Sequence, residues 1–444
     1  MLSRWLIGDS VGGAFDDEAL MEAFIRFEVE LARAQAAAGL IPVDSARGIA
    51  ACAGQWQPDV AALVRQGTLA GSLAIPFVRE LTAAVAASDP RAAVDVHRGA
   101  TSQDLLDTAL AVCARRVVDR MADAVSAAID AAAHLAREHA SAPMLARTLM
   151  QPAGITTVGF KVAGWAVALR EGRRRLLDSA RDALCVSLGG AIGNLAQMGN
   201  TGPVVRANLA TALGLTDSGR TWHVDRGAWV ALACDAALLA GTAAKIARDV
   251  ALMAQHEVGE VTEAQRAGRG GSTAMPHKRN PVGSMLVVAA AQGVPGLVAN
   301  LLGGMVQEHE RGLGNWQNEL AQWPEVISRC AGAVGSLASL LEGLRFHPER
   351  CLANVKALQG VLFSDRVATL LSEPLGRLEA ELLAARLCAQ AVEQGEPLGS
   401  LVLQTVASDP RLSQVRTRSV AECFDLDAAA RASARQVDEL LFLR

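Results

Sequence analysis

Apolar and polar positions recur along most of the chain with helical rather than strand spacing, and the runs that keep this spacing are long. From Thr101 to about His139 an unbroken helical pattern follows Thr101-Ser102-Gln103-Asp104, which has the order of an N-cap box. Further runs extend from about Thr156 to Leu184, from about Asp225 to Val258, and from about Glu319 to Leu344. Each is longer than the usual globular helix. The run from Asp225 is apolar on nearly every face, and its polar residues Asp235, Thr242, Asp249 and His256 lie seven apart in one narrow stripe. Such a helix cannot rest on a monomer's surface and needs neighbours all round, from its own chain and from other subunits. The stripe is expected to make satisfied polar contacts between bundle helices.

The first 100 or so residues mix shorter helical patterns with turns such as Gly39-Leu40-Ile41-Pro42 and Ser88-Asp89-Pro90, and a break at His347-Pro348 opens a more charged helical tail. The expected organisation is an N-terminal helical domain over 1–103, a central long-helix bundle over 104–350 carrying a loop at 268–281, and a C-terminal helical domain over 351–444. Met285 to Val306 carries no charge, but Gln292, Pro295 and Asn300 interrupt it and Lys278-Arg279 and Glu308-His309-Glu310-Arg311 flank it. A membrane span needs about 20 continuous apolar residues, so this stretch reads as a helix buried in protein on all sides.

Composition strengthens the helical reading, since tyrosine is absent and aromatic residues make up only 4%. A chain of 444 residues can bury large cores without a disulfide or metal staple. With 42 basic and 46 acidic residues the net charge is −4, which removes a bulk basic footprint for nucleic acid. The 8 cysteines are scattered without a CxxC pair and read as small buried apolar residues in a reducing compartment, the cytoplasm. The opening MLSRWLIGDSVGG has too short an apolar run for a signal peptide. No GxGxxG follows a strand-like run and no GxxxxGK[ST] occurs, so nucleotide-phosphate loops lack support.

The most unusual local sequence is Gly268-Arg-Gly-Gly-Ser-Thr-Ala-Met-Pro-His-Lys-Arg-Asn-Pro281. Its first half is glycine-rich with small hydroxyl residues, a backbone able to wrap a ligand. Its second half ends in Asn280-Pro281, an N-cap followed by a first helical residue. Free backbone N–H groups there, with Lys278 and Arg279 alongside, would make an anion site. The plainer alternative is a solvated basic loop before a helix.

GSTAMPHKRNP resembles the signature GSSxMPxKxNP of the fumarase/aspartase superfamily. His97-Arg98-Gly99-Ala100-Thr101-Ser102-Gln103-Asp104 with Asp107-Thr108 resembles the family's first conserved segment, and Arg147-Thr148-Leu149-Met150-Gln151 with Thr156-Thr157 and Gly159 the second. The resemblance covers essentially the whole chain. Gly71–Pro76, Trp222-His223 with Arg226, and Gln307-Glu-His-Glu-Arg311 with Gly314 and Trp316 are similar to the superfamily's cycloisomerases. Lyases of adenylosuccinate type carry one histidine in the segment matching Gly71–Pro76 and another directly after the Arg-Thr pair. Here the first place holds none and the second holds Leu149, so adenylosuccinate cleavage is disfavoured.

The resemblance implies an all-α, three-domain fold whose long central helices form the core of a homotetramer. Each active site would gather the three segments from three subunits and act on a small polycarboxylate, with no metal or organic cofactor, no nucleic acid and no membrane. The family reaction adds or removes a group β to a carboxylate through a carbanion delocalised into that carboxylate, which calls for anion clamps, donors and one proton carrier. The implied proton donor of addition is Thr273, in place of the usual second serine. β-Branching stiffens threonine, so Ser272 stays in contention. Backbone N–H groups around Ala274 and Met275 would face the developing aci-carboxylate, while Lys278 and Asn280 bind substrate carboxylate.

Thr101 and Ser102 would offer hydroxyls and a helix N-terminus to another carboxylate, with plain N-capping as the alternative. Thr148 and Gln151 would bind a third, and Arg147 would serve as a clamp or as a subunit-interface residue. His97 and Arg311 join the substrate-binding candidates. Structural roles compete for His97 and His277, and an interface or supporting ion pair for Glu310-Arg311. The leading expectation is a cycloisomerase of aromatic-acid catabolism. A related lyase that eliminates a group from a substituted succinate to give fumarate is the alternative, and a helical oligomer without catalysis the third reading. Intact Lys278, Asn280, Thr101 and Ser102 argue against the last.

Overall fold

A computed structural model describes Trp5, Ile7 and residues 13–264, 275 and 278–442. In chain order the helices are α1 (Asp17–Ala37), α2 (Val43–Ala53), α3 (Val60–Ala70), α4 (Ala74–Ser88), α5 (Ser102–Glu138), α6 (Val158–Ala183), α7 (Gly202–Leu213), α8 (Gly227–Met253), α9 (Val282–Gln292), α10 (Val294–Gly303), α11 (Asn315–Glu342) and α12 (Pro348–Lys356), followed by a C-terminal set within 364–442. The strands are β1 (Pro143–Thr148), β2 (Gln151–Thr157), β3 (Val261–Thr262) and β4 (Arg345–Phe346). The fold is all-α, as expected, and α5, α6, α8 and α11 match the four long periodic runs to within a few residues at most ends.

The chain divides into two compact units. One comprises Met1–Ser126, Glu171–Lys245 and Leu286–Leu337, the other Ala127–Arg170, Ile246–Met285 and Ala338–Arg444. In the first, α1 packs on α2 and α7, and α5 is buried on every face from Gln103 to Ala114. In the second, β1 and β2 form an antiparallel hairpin against α12. A separate apolar cluster there includes Val367, Leu371, Leu383, Leu387 and Leu401.

Three details depart from the sequence expectation. The hairpin interrupts an otherwise helical pattern: Leu149 and Met150 have φ of 49° and 67°, the two positive values that let a two-residue turn match strand twist. The run from Asp225 stops at Met253, because the chain reverses there and the Glu260 N–H bonds the Met253 carbonyl at 2.9 Å. His256 therefore lies off the helix and outside the polar stripe. Asp235 and Asp249 make the expected contacts between helices, whereas Thr242 bonds within its own helix. Asp235 lies 4.0 Å from Arg175, Asp249 accepts the Trp165 indole N–H at 3.1 Å, and the Thr242 hydroxyl returns to the Leu238 carbonyl.

The third departure is the uncharged stretch, which is two helices separated at Gly293 with Pro295 in the first turn of the second. This chain does not bury it on all sides. Val282–Gly303 and Gly227–Met253 are each long and apolar enough to cross a membrane by length and composition, and only 28% of the apolar window in the former is buried. Met285 and Leu302 remain 47% and 50% exposed.

The first unit is organised around a buried guanidinium. Arg226, directly before α8, donates to both oxygens of Asp107 on α5 at 2.8 and 3.1 Å, and its Nε donates to Glu319 on α11 at 3.1 and 3.2 Å. Its side chain and that of Asp107 have no exposed surface. The Trp316 indole N–H supplies Asp107 with a further bond at 3.0 Å, and the Trp222 ring lies 4.5 Å from the guanidinium carbon. Removing the cation from between two buried carboxylates leaves charge uncompensated, which typically costs about 3–5 kcal/mol. Arg226→Met is expected to lose stability of that order in urea unfolding; a loss below about 1 kcal/mol, the range of a surface pair, would show that the three groups do not act as one network.

Candidate active site

The first motif segment forms the entrance to α5. The Asp104 carboxylate, fully buried, accepts the Thr101 N–H at 3.0 Å, which is the reciprocal half of the N-cap box read from the sequence. The same carboxylate also accepts the N–H groups of Gly189 and Gly190, each at 2.9 Å, and His223 Nε2 at 2.7 Å. Thr101 Oγ1 meets a side chain from outside its own helix. It accepts a bond from Arg311 Nη1 at 3.0 Å, while Arg311 Nη2 donates to the Ala191 carbonyl at 2.9 Å. A hydroxyl that accepts from a guanidinium keeps its own proton to donate, and is polarised to do so. Ser102 follows half-buried at the first position of α5. Arg311, expected among the substrate contacts, thus directs donors at Thr101 and Ala191, bringing two candidate residues together.

His97 stands just before this turn with φ of 55°, a conformation a side-chain-bearing residue holds only when its surroundings impose it. They do: its Nδ1 lies 2.6 Å from Oε1 of the buried Glu28 on α1. Burial opposes the charged ring, but the charge and hydrogen bond of Glu28, with Asp104 beyond, outweigh it and hold the His97 pKa above the usual histidine value. The Glu28 contact is of the kind a structural role for His97 would use.

The second and third segments lie in the second unit. Arg147 is not a free clamp. Both of its Nη atoms meet the fully buried Glu260, at 2.7 and 2.9 Å, and Asn354 Nδ2 adds a bond to Glu260 at 3.0 Å. A bidentate pair of this kind is strong and directional, and it roots β1 on the stretch that leads into the glycine-rich loop. Thr148 and Gln151 close the hairpin and are exposed, and between them Leu149 is 97% exposed. Beneath the hairpin Arg147, Met150, Lys161 and Asp249 line a cavity of about 290 Å³. Lys278 and Met275 are exposed and Asn280 half-buried, with the Lys278 N–H bonded to the Met275 carbonyl at 3.0 Å. Ser272, Thr273, Ala274 and His277 lie outside the described residues.

The start of α9 corrects the expectation of an anion site made by free N–H groups. Glu263 fills it: its carboxylate accepts the N–H groups of Gly283 and Ser284 at 2.8 and 2.9 Å and the Ser284 hydroxyl at 2.7 Å. The attraction of a helix N-terminus for negative charge is satisfied by the protein's own carboxylate. No sequence signal pointed to Glu263, because it precedes the helix by some 20 residues and belongs to no cap pattern. Glu260, missed likewise, is 113 positions from Arg147.

Among the described residues no group of three or more His, Cys, Asp or Glu side chains gathers as a metal site. The cysteines are buried or half-buried. Burial pushes the Cys113 and Cys185 thiols up to about 11, far from the thiolate a nucleophile requires.

Residues 8–296 match the sequence profile of a family described as Lyase. The chain is 37% identical over 442 residues to a 3-carboxy-cis,cis-muconate cycloisomerase of Bradyrhizobium diazoefficiens, covering 99% of this chain and 97% of that one. The chain belongs to this lyase family, within the fumarase/aspartase superfamily. The lyase is also 40% identical over 413 residues to a nitrosuccinate lyase of Streptomyces davaonensis, covering 90% and 86% of the two chains. Its fold matches the crystal structure of 3-carboxy-cis,cis-muconate lactonizing enzyme from Pseudomonas putida with a TM-score of 0.90 and 32% identity, over 99% and 98% of the chains.

In the lyase the raised pKa of His97 makes stability depend on pH. A group whose pKa rises on folding contributes fully below its unfolded value, about 6.5, and that contribution is lost as pH rises through the folded pKa. The melting temperature of the wild type should exceed that of His97→Gln by more at pH 6 than at pH 9. An equal gap at both pH values would mean that the His97–Glu28 pair is not charged in the fold.

Proposed function

We propose that the protein lactonises 3-carboxy-cis,cis-muconate to 4-carboxymuconolactone, an intramolecular addition in protocatechuate (beta-ketoadipate) catabolism. The observation that carries this reading is the agreement over nearly the whole chain with the cycloisomerase of Bradyrhizobium diazoefficiens and the Pseudomonas putida lactonizing enzyme. The polarised Thr101 hydroxyl gives it a first anchor. One substrate carboxylate attacks a C=C carbon, a C–O bond forms, and the π electrons move to the neighbouring carbon and into its own carboxylate. That carbon then takes a proton from the hydroxyl of Thr273 or Ser272, which water replenishes.

In this scheme Thr101 and Ser102 receive the one spectator carboxylate, and the pairs Lys278 with Asn280 and Thr148 with Gln151 receive the other two carboxylates. Met275 borders the charge that develops in the transition state, where preorganised donors matter most. The assembly in this reading is a cytoplasmic homotetramer with each site shared between subunits. The exposed Lys278, Thr148 and Gln151, and the apolar surface that one chain leaves on α9 and α10, support it.

A second reading rests on the 40% identity to the nitrosuccinate lyase: elimination of a group such as nitrite from a substituted succinate, giving fumarate by the same carbanion run in reverse. Purified protein without added metal or cofactor should abolish the conjugated-diene absorbance of 3-carboxy-cis,cis-muconate, with the lactone identified by NMR. Of Thr273→Ala and Ser272→Ala, the one that removes the proton donor should lower kcat by about 10²–10⁴-fold. An intact diene together with fumarate formed from nitrosuccinate would replace the first reading by the second. Light scattering should give four times the chain mass of 46.3 kDa, and a stable monomer would refute the shared site.

A further inference from the structure

The Asp104 carboxylate is held by donors from three stretches of chain, arranged in two pairs. Oδ1 accepts the Gly189 N–H and His223 Nε2, and Oδ2 accepts the N–H groups of Thr101 and Gly190. Three of these donors are backbone groups, so among the described residues the one side chain that fixes the carboxylate's rotation is His223. Nε2 is the donor of its contact, since a carboxylate oxygen can only accept. The ring has little freedom of its own. His223 is 1% exposed, its carbonyl accepts Gln103 Nε2 at 2.8 Å, and a Cβ at Gly189 would stand 3.1 Å from His223 Cε1 and 2.6 Å from Thr221 Oγ1. From the other side Arg311 bridges Thr101 Oγ1 and the carbonyl of Ala191, the residue after Gly190. Thr101 and the Gly189–Ala191 turn are therefore pinned twice, through Asp104 and through Arg311.

We infer that His223 is a positioning residue for the reaction: acting through Asp104, it sets the orientation of Thr101 and hence the point at which the Thr101 hydroxyl meets a substrate carboxylate. The inference rests on the reading that Thr101 and Ser102 bind substrate. Because the contact it serves holds a spectator carboxylate, present equally in ground and transition states, its loss falls on KM more than on kcat.

The test uses the full chain with 3-carboxy-cis,cis-muconate, and pairs steady-state kinetics with hydrogen–deuterium exchange of peptides covering residues 98–104 and 187–193. His223→Leu should raise KM about ten-fold or more while kcat changes by less than about three-fold, and should speed exchange in those two peptides above the rest of the first unit. His223→Gln, which restores an N–H donor, should return most of both effects. A merely structural histidine would lower the melting temperature without this split or this rescue. A folded His223→Leu with unchanged KM and unchanged exchange overturns the inference. If His223→Leu does not fold, His223→Asn, whose shorter amide falls back from Asp104, carries the same expectation and the same overturning result. Thr101→Val separates the two levels: a raised KM there with an unchanged KM in His223→Leu sinks the role of His223, whereas an unchanged KM in Thr101→Val sinks the substrate-binding reading beneath it.

Discussion

Arg226 is buried between two carboxylates, and the first unit depends on that arrangement. Asp107 comes from α5, Glu319 from α11, and Arg226 itself opens α8. Burying ions is costly, and well-packed apolar side chains often do as well or better in stability. An apolar trio, however, would tolerate a slide or rotation of any one helix. The ionic trio does not, because each displacement strands a charge. Asp104 lies three residues before Asp107 and so shares its face of α5. The rotation of α5 that serves Arg226 therefore also turns Asp104 toward Gly189, Gly190 and His223, and the geometry at Thr101 is inherited from the core.

Two of the helix starts that carry motif residues hold a carboxylate of the protein itself, Asp104 at α5 and Glu263 at α9. This changes how substrate anions are to be recognised. At α9, N–H groups and dipole are occupied by Glu263, so in the proposed site recognition would fall to side chains such as Lys278. At α5 the Thr101 N–H is occupied, but its hydroxyl is presented with Arg311 behind it. A polarised hydroxyl discriminates by direction as well as charge, which suits a substrate with several carboxylates that must be told apart.

What could be read from the sequence was local. The long helices were legible because their apolar spacing persists over many turns with few breakers, and the motif segments because their residues are contiguous. The pairings that give those segments their roles were not legible. Arg147 finds Glu260 113 positions away, and Arg311 finds Thr101 210 positions away; no spacing rule reaches that far. His256 was misplaced because periodicity cannot see a chain reversal closed by a backbone bond at Met253. The hairpin was missed because its strands are six and seven residues long, and its turn is made by Leu149 and Met150 rather than by glycine or asparagine.

Whole-chain similarity in both sequence and fold favours lactonisation over the elimination carried out by the nitrosuccinate lyase. The chemistry narrows the field in another way. In lactonisation the entering oxygen belongs to a carboxylate, and in nitrite elimination the departing group is a stable anion. Neither group needs a proton delivered to it, so neither reaction requires an acid where Leu149 stands. Loss of a neutral amine does require one, because an unprotonated amide ion is a far poorer leaving group. Leu149, exposed at a turn with positive φ, has no proton to give, and lactonisation and nitrite loss are both compatible with that residue.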